Sequence, residues 1–223
     1  MTYEGRTPPY PLFIYLDGQP VLVVGAGEVA ERKIATLLDY GARVRVVAPE
    51  ATERVRAWGC EGAVSLDLRP FASGDCRDAL LVVAATSNEE VNRAVHAEAS
   101  AQRTLVNVVD VPALCTCIVP SIMRRGQLQV AVSTAGAAPS VARRIRASLE
   151  RQYPDYWERY IDLLGEVRLL VKERVPGEAA RRTPLFEALG AAGIEGRLAA
   201  GERLSAEDVY REVVEPAIRK ADQ

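Results

Sequence analysis

The sequence predicts an α/β fold: a Rossmann-like, doubly wound parallel sheet followed by a helical C-terminal region. Three observations carry this. A short apolar run, Val21 to Val24, breaks at Gly25 and Gly27 and resumes as an amphipathic helix. Runs rich in valine and leucine then alternate with helical patterns as far as Val109, and such alternation implies parallel strands joined by right-handed crossovers. From Tyr153 onward apolar residues recur at three- and four-residue spacing, as in packed helices.

In order along the chain, Leu12 to Leu16 reads as a short extended segment that Asp17-Gly18 turns toward the first strand. Val21 to Val24 is continuous and β-branched, as in a strand covered on both faces. The helix from Val29 to Asp39 ends at Tyr40-Gly41, with glycine in its usual place past the last turn. Arg43 to Val47 forms the second strand, stopped by Pro49; alternation puts Val44 and Val46 on one side and Arg45 on the other. A helix over Thr52–Trp58 follows, then strands over Val64–Leu68 and Ala79–Ala85, a helix over Asn88–Ser100 and a fifth strand over Leu105–Val109. This domain ends near Pro112. Beyond it Leu128–Val132 is strand-like and a helix begins at Ser140. Further helices are expected from Tyr153, over 183–192 with Pro184 at the start, and over 205–219. The expected division is 1–112, 113–152 and 153–223.

The glycines have a chemical reading. In G-x-G-x-x-A, Gly25 turns the chain sharply, Gly27 lets a pyrophosphate approach bare backbone, and Ala30 stands where a third small residue permits close helix–strand packing. The helix start then aims free amides and the positive dipole end at the phosphates. A merely structural turn would read the same in isolation; the strand-to-helix setting favours dinucleotide binding. An NAD site places an acid about 20 residues past the glycines, at the end of the second strand. That place reads Val47-Ala48-Pro49-Glu50, so Glu50 or the backbone around Pro49 serves. Arg43 and Arg45 leave a 2′-phosphate open, with solvated arginines as the ordinary alternative, and motif logic favours NAD over NADP.

Composition excludes several classes. With 48% hydrophobic and 26% charged residues and a net charge of −2, the chain suits a soluble protein and is a poor partner for genomic nucleic acid. No apolar run reaches the roughly 18–20 residues that cross a bilayer, and the first six residues do not begin a signal peptide. A cytoplasmic location without a membrane partner is expected. Cys60, Cys76, Cys115 and Cys117 form no disulfide framework and are expected reduced. His96 is the one histidine, so no metal site is expected.

Positive charge is nonetheless concentrated. Residues 113–152 hold Arg124, Arg125, Arg143, Arg144, Arg146 and Arg151 against Glu150 alone. A solvated helix face is the ordinary reading. Beside the small-residue loop Ser133–Ala138, which leads through Pro139 into a helix, a polycarboxylate site is the better one. At about 100° per residue Arg143 and Arg146 share a face, while Arg144 turns aside.

Taken together, Val21-Leu22-Val23-Val24-Gly25-Ala26-Gly27-Glu28-Val29-Ala30-Glu31-Arg32-Lys33, Ala84-Ala85-Thr86, Asn107-Val108-Val109-Asp110 and Val132-Ser133-Thr134-Ala135-Gly136 resemble the precorrin-2 dehydrogenase / sirohydrochlorin ferrochelatase family. Its members make sirohydrochlorin for sirohaem or cobalamin. The resemblance covers roughly residues 8–153. It implies a homodimer whose first domain binds NAD, with 113–152 a dimerisation segment that exchanges with its partner and the tetrapyrrole between the two parts. It implies that Asp110 is catalytic. Glu28, Val29, Pro49 and Glu50 match nucleotide contacts and join Gly25, Gly27 and Ala30 in the cofactor set, with Thr86 and Asn107 from the matching motifs. Thr134 stands beside the substrate, joined by Arg143 and Arg146.

Three departures qualify it. Where many relatives read Cys-Asp-Phe the chain has Cys115-Thr116-Cys117, without a second carboxylate, and the serine often found before the loop proline is Ala138. Both weigh against metal insertion more than against dehydrogenation. No methyltransferase domain follows, so a stand-alone dehydrogenase module is expected in place of a fused trifunctional sirohaem synthase. The expected function is NAD-dependent dehydrogenation of precorrin-2 to sirohydrochlorin with Asp110 as general base, insertion of iron or cobalt being left open. The alternative is a nucleotide-sensing module without chemistry. That alternative explains Gly25 to Ala30 but neither Asp110, otherwise an Asx-turn before Pro112, nor the arginines.

Overall fold

Two units make up the computed structural model, one running to Val119 and one from Pro120, with residues 7–177 and 179–221 described. The first six residues, read above as no signal peptide, lie outside the described residues.

In the first unit the valine runs become a sheet of β1 (Pro20–Val24), β2 (Arg43–Ala48), β3 (Ser65–Leu68), β4 (Leu81–Ala84) and β5 (Leu105–Val108). All pairings are parallel, in the order β3-β2-β1-β4-β5. The connecting helices are α1 (Glu28–Asp39), α2 (Glu53–Cys60) and α3 (Glu89–Ala101). Strand alternation sorts the core into two layers. Val21, Val23, Val44, Val46 and Val83 pack with Ala30, Ile34 and Leu37 of α1 and Val55 of α2. Leu22, Val24, Val47, Val82, Ala84, Val106 and Val108 pack with Val95 and Ala99 of α3. Each buried valine or leucine contributes about 1.5–3 kcal/mol, enough in sum to hold both layers. Thr52 caps α2 and Asn88 caps α3, each accepting a backbone amide of the first turn.

Leu12 to Leu16, read as an extended segment, has no regular secondary structure and joins no sheet. One expectation about this unit changes. Arg45, expected to be solvated or to meet a phosphate, donates to Asp67 at 3.0 Å and Asp75 at 2.8 Å. Asp75 is buried, and also accepts from Arg69 at 2.6 Å and the Ala72 amide at 2.8 Å. Glu98 of α3 closes the same loop by accepting from the Gly74 and Cys76 amides at 3.0 and 2.9 Å.

The second unit opens with an antiparallel hairpin, β6 (Ser121–Arg125) and β7 (Leu128–Val132), turning at Gly126 with φ 55°. Helices α4 (Pro139–Gln152), α5 (Tyr156–Arg174), α6 (Ala179–Gly190), α7 (Ile194–Ala199), α8 (Ala206–Val209) and α9 (Glu215–Ala221) follow, with a π turn at Tyr210–Val214. Leu163, Val167, Val171, Leu185, Leu189, Ile194 and Val209 form the core. Here too the expectations shift. Pro184 lies inside α6 instead of at its start, and leaves the Ala180 carbonyl without the amide four residues on; burial of Leu185 and Leu189 keeps the helix. The stretch 205–219 is broken by the π turn, which keeps Val209, Tyr210 and Val214 all buried. Arg125 caps α4, donating to the carbonyls of Tyr153 at 2.9 Å and Glu150 at 3.2 Å, where the helix dipole favours a cation.

Arg69 beside Asp75 holds its carboxyl well below the usual carboxylate range, against the opposing effect of burial. A carboxyl depressed in the fold contributes stability above its unfolded pKa of about 4 and loses it as pH falls further. Asp75→Asn should therefore destabilise by about 2 kcal/mol at pH 7, part of the pairing being screened because both arginines are partly exposed. In denaturant melts the gap between mutant and parent should shrink from pH 7 to pH 3; a constant gap would reject the ion cluster as its source.

Candidate active site

The strand order reverses between β1 and β4. The chain leaves β1 for α1 on one face and β4 for α3 on the other, and this divergence opens a crevice at the carboxyl ends of the strands. The glycine loop fills its floor. Gly25 has φ 103°, and a Cβ there would lie 2.3 Å from the Ala85 carbonyl oxygen, so only glycine lets the β1 loop lie against the end of β4. The Gly25 amide donates to Val47 and the Ala85 amide to Val24, at 2.9 and 2.8 Å, locking the three strand ends together. Gly27 differs. A Cβ at Gly27 meets nothing within 4 Å, so its space faces outward. It precedes α1 without a side-chain cap, and the first-turn amides of Glu28, Val29 and Ala30 have no helical carbonyl to meet. Glu28 and Val29 are exposed, while Ala30 is fully buried against the sheet. An anion fits the exposed backbone here, so the residues present suit a dinucleotide's phosphates.

The neighbouring loops are pinned to this floor. Thr52 donates its amide to the Ala26 carbonyl at 3.0 Å and its hydroxyl to Glu31 at 2.7 Å, which fixes the exposed pair Pro49 and Glu50 beside the glycines. Thr86 follows β4; its hydroxyl accepts from the Asn88 amide at 3.1 Å and its carbonyl from the buried Asn92 side chain at 3.0 Å. Asn107 lies on β5 opposite Val83, and its side-chain nitrogen donates to the Cys117 carbonyl at 3.1 Å. Its visible task is to brace the segment after β5. Thr116 lies along the same strand, donating its amide to the Val106 carbonyl and accepting the Val106 amide at its hydroxyl, both at 2.8 Å. Cys115 Sγ accepts from the Val108 amide at 3.2 Å.

Asp110 comes directly after these braces. It is exposed, in the left-handed region at φ 59°, and among the described residues it makes no hydrogen bond or ion pair. A short 3₁₀ turn, Pro112–Leu114, follows. In the second unit Thr134 accepts the Ala138 amide at 3.1 Å, and Ala135 and Gly136 at φ 52° and 87° round off the loop. Pro139 then opens α4 as expected. Arg143 and Arg144 are exposed and without a carboxylate partner among the described residues. Arg146 is paired with Glu150 one turn on. That pairing was legible in the four-residue spacing, though the expectation left it out.

Lys33 is the residue the motif contained without assigning it. It is half-buried on α1; burial pushes its ammonium down from the usual range, Asp110 raises it and Arg32 lowers it again. Two of the thiols are unreactive in comparison, since burial pushes Cys76 up to about 12 and Cys117 up to about 11. Among the described residues no group of three His, Cys, Asp or Glu side chains is placed to hold a metal. Nor is any described helix long and apolar enough to cross a membrane.

Gly25→Ala should disrupt this unit before any ligand is considered, by about 3 kcal/mol or more, because left-handed strain adds to a clash with backbone that cannot yield. Thermal melts of the mutant test it. A melting temperature equal to the parent's would remove the close β1–β4 approach as a constraint.

The likeness to known proteins follows the same layout. A family model described as NAD(P)-binding matches residues 12–121, and one described as sirohaem biosynthesis protein central matches residues 125–152. Siroheme synthase of Ectopseudomonas mendocina is 47% identical over 172 residues, covering 77% of this chain and 37% of that protein. Siroheme synthase of Nitrosococcus oceani is 38% identical over 205 residues, covering 92% and 44%. The chain thus spans less than half the length of these curated relatives. Among solved structures, SirC, a precorrin-2 dehydrogenase, superposes with a TM-score of 0.73 at 28% identity, covering 84% of this chain and 92% of the other. With a nicotinamide-nucleotide domain in front and the sirohaem central segment behind it, the chain belongs to the precorrin-2 dehydrogenase family of sirohaem-biosynthesis proteins.

Proposed function

We propose that the chain dehydrogenates precorrin-2 to sirohydrochlorin with NAD as oxidant, and that it does so as a homodimer. One observation supports this above the others: the glycine cradle and an unpartnered carboxylate, Asp110, share the carboxyl edge of a single sheet. Bound nicotinamide supplies the redox chemistry by accepting the electron pair as hydride. The chain's own residues manage what remains. Gly27 and the first-turn amides of α1 hold the pyrophosphate, with Gly25 and Ala30 keeping loop and helix close to the sheet. Asp110 accepts the proton released from the substrate, a task that suits a carboxylate free of competing donors.

Preference for NAD over NADP rests on which charges are available. Glu50 at the end of β2 suits a ribose hydroxyl and repels a 2′-phosphate, while Arg45 is committed to Asp67 and Asp75. Arg43 starts β2, opposite Pro20, at the far end from the crevice. Thr86 and Asn107 complete the cofactor side by holding the ends of β4 and β5. On the substrate side Thr134 offers its hydroxyl hydrogen, its oxygen already accepting the Ala138 amide. Arg143 is the first cation available to a polycarboxylate, and Arg146 must first leave Glu150. The homodimer draws support from β6–β7, a two-stranded hairpin whose outer edges pair with no third strand among the described residues.

The decisive experiment is NADH formation from precorrin-2, followed by absorbance. Asp110→Asn should cut turnover roughly 100-fold or more while NAD affinity holds; near-normal turnover would remove it as the base. Gly27→Asp should fold, since nothing opposes a side chain there, yet bind NAD at least tenfold more weakly through lost space and added negative charge. Calorimetry showing undiminished NAD affinity would refute the cradle. Arg143→Ala should raise the substrate KM roughly tenfold, Arg146→Ala less and Arg144→Ala least, all three effects shrinking at high salt. Equal KM values throughout would return α4 to a solvated surface.

A further inference from the structure

After the second strand of a dinucleotide-binding sheet, an acid meets a ribose hydroxyl or an arginine meets a 2′-phosphate. This chain has both residue types there: Glu50, and four residues on Arg54, in the first turn of α2. Two contacts hold Arg54. Its Nη1 lies 3.6 Å from Glu31 Oε1 on α1, and its guanidinium carbon lies 4.8 Å from the centre of the Trp58 ring, one turn further along α2. Glu31 is held in turn, because its other oxygen, Oε2, accepts the Thr52 hydroxyl at 2.7 Å. The Thr52 amide donates to the Ala26 carbonyl at 3.0 Å, so the chain of contacts runs from Arg54 through Glu31 to the glycine loop. The Glu31 side chain is 22% exposed and that of Arg54 64%, which makes the carboxylate the fixed partner and the arginine the movable one. An ion pair of this length, largely in solvent, is weak and readily exchanged for another anion. Arg32 and Arg56 stand on the same two helices, each donating to a backbone carbonyl, Glu28 at 3.4 Å and Ala51 at 3.1 Å.

We propose that Glu31 determines which dinucleotide the chain accepts: by pairing with Arg54 it withholds that guanidinium from a 2′-phosphate, and so sets the preference for NAD over NADP. The inference rests on the dinucleotide reading of the crevice and on the NAD preference proposed above. Charge gives the direction. A 2′-phosphate brings about two further negative charges to a margin that carries Glu31 and Glu50, and must draw Arg54 from a carboxylate already seated. A ribose hydroxyl is neutral and asks only for an acceptor, which Glu50 supplies. Replacing Glu31 by glutamine keeps an acceptor for Thr52 and removes the anion from Arg54.

Calorimetry on the ligand-free protein tests the inference without precorrin-2. The parent should bind NAD more tightly than NADP. Glu31→Gln should raise NADP affinity about fivefold and leave NAD affinity within about twofold, the gain shrinking at high salt. Glu31→Ala, which removes the pair outright, should show the same gain, and Glu31→Asp, which keeps the charge, should remain selective for NAD. When Glu31→Gln is combined with Arg54→Gln the gain should vanish, because it belongs to the arginine and not to relief of repulsion. Thermal melts establish which variants are folded. An NADP affinity unmoved in folded Glu31→Gln or Glu31→Ala, a gain that survives the loss of Arg54, or a parent that prefers NADP overturns the inference. A parent that binds neither dinucleotide would instead refute the dinucleotide reading of the crevice.

Discussion

Everything at the carboxyl edge depends on one missing atom. The Gly25 backbone lies so near the Ala85 carbonyl that a Cβ has no room, and that proximity brings the ends of β1 and β4 together where the connections diverge. The crevice follows from it, because α1 and α3 leave on opposite faces from strands that touch. The pinning of Pro49 and Glu50 by Thr52 also follows, since Thr52 donates to Ala26, the residue after the glycine. The neighbouring Gly27 answers a different need. It is open where Gly25 is closed: one glycine is required by internal packing, and the other leaves backbone exposed at the start of α1.

How much of this was legible in the sequence depends on the range of the interaction. The five strands were readable because continuous valine runs belong to a sheet covered twice, and the glycine loop because its spacing ties a strand to a helix. Local signals failed where the deciding partner was remote. Arg45 looked like a solvated or phosphate-reading arginine, and only folding brings Asp67 and Asp75, 22 and 30 residues on, to its guanidinium. Arg125 looked like part of a cationic patch and instead caps α4 from 25 residues upstream.

The arginine-rich stretch shows how charge counts mislead and inform together. Six arginines against one glutamate suggested a cradle, and the structure removes Arg125 to helix capping and ties Arg146 to that single glutamate. Arg143 and Arg144 keep their heads in solvent. An exposed guanidinium with no partner costs little to hold in readiness, whereas a paired one must exchange one carboxylate for another. Within one helix the chain therefore presents cations of unequal availability.

The segment after β5 has a meaning beyond holding Asp110. β5 ends the sheet on one side, and Thr116 there occupies both the amide and the carbonyl of Val106, with Cys115 against Val108. An outside strand arriving at this margin finds its ladder positions already taken by the protein's own chain. The same few residues that carry the polypeptide out of the sheet thus guard against edge-to-edge polymerisation, a hazard of any open parallel sheet rich in valine. The turn of backbone that carries Asp110 out of the sheet is therefore continuous with the segment that covers its margin.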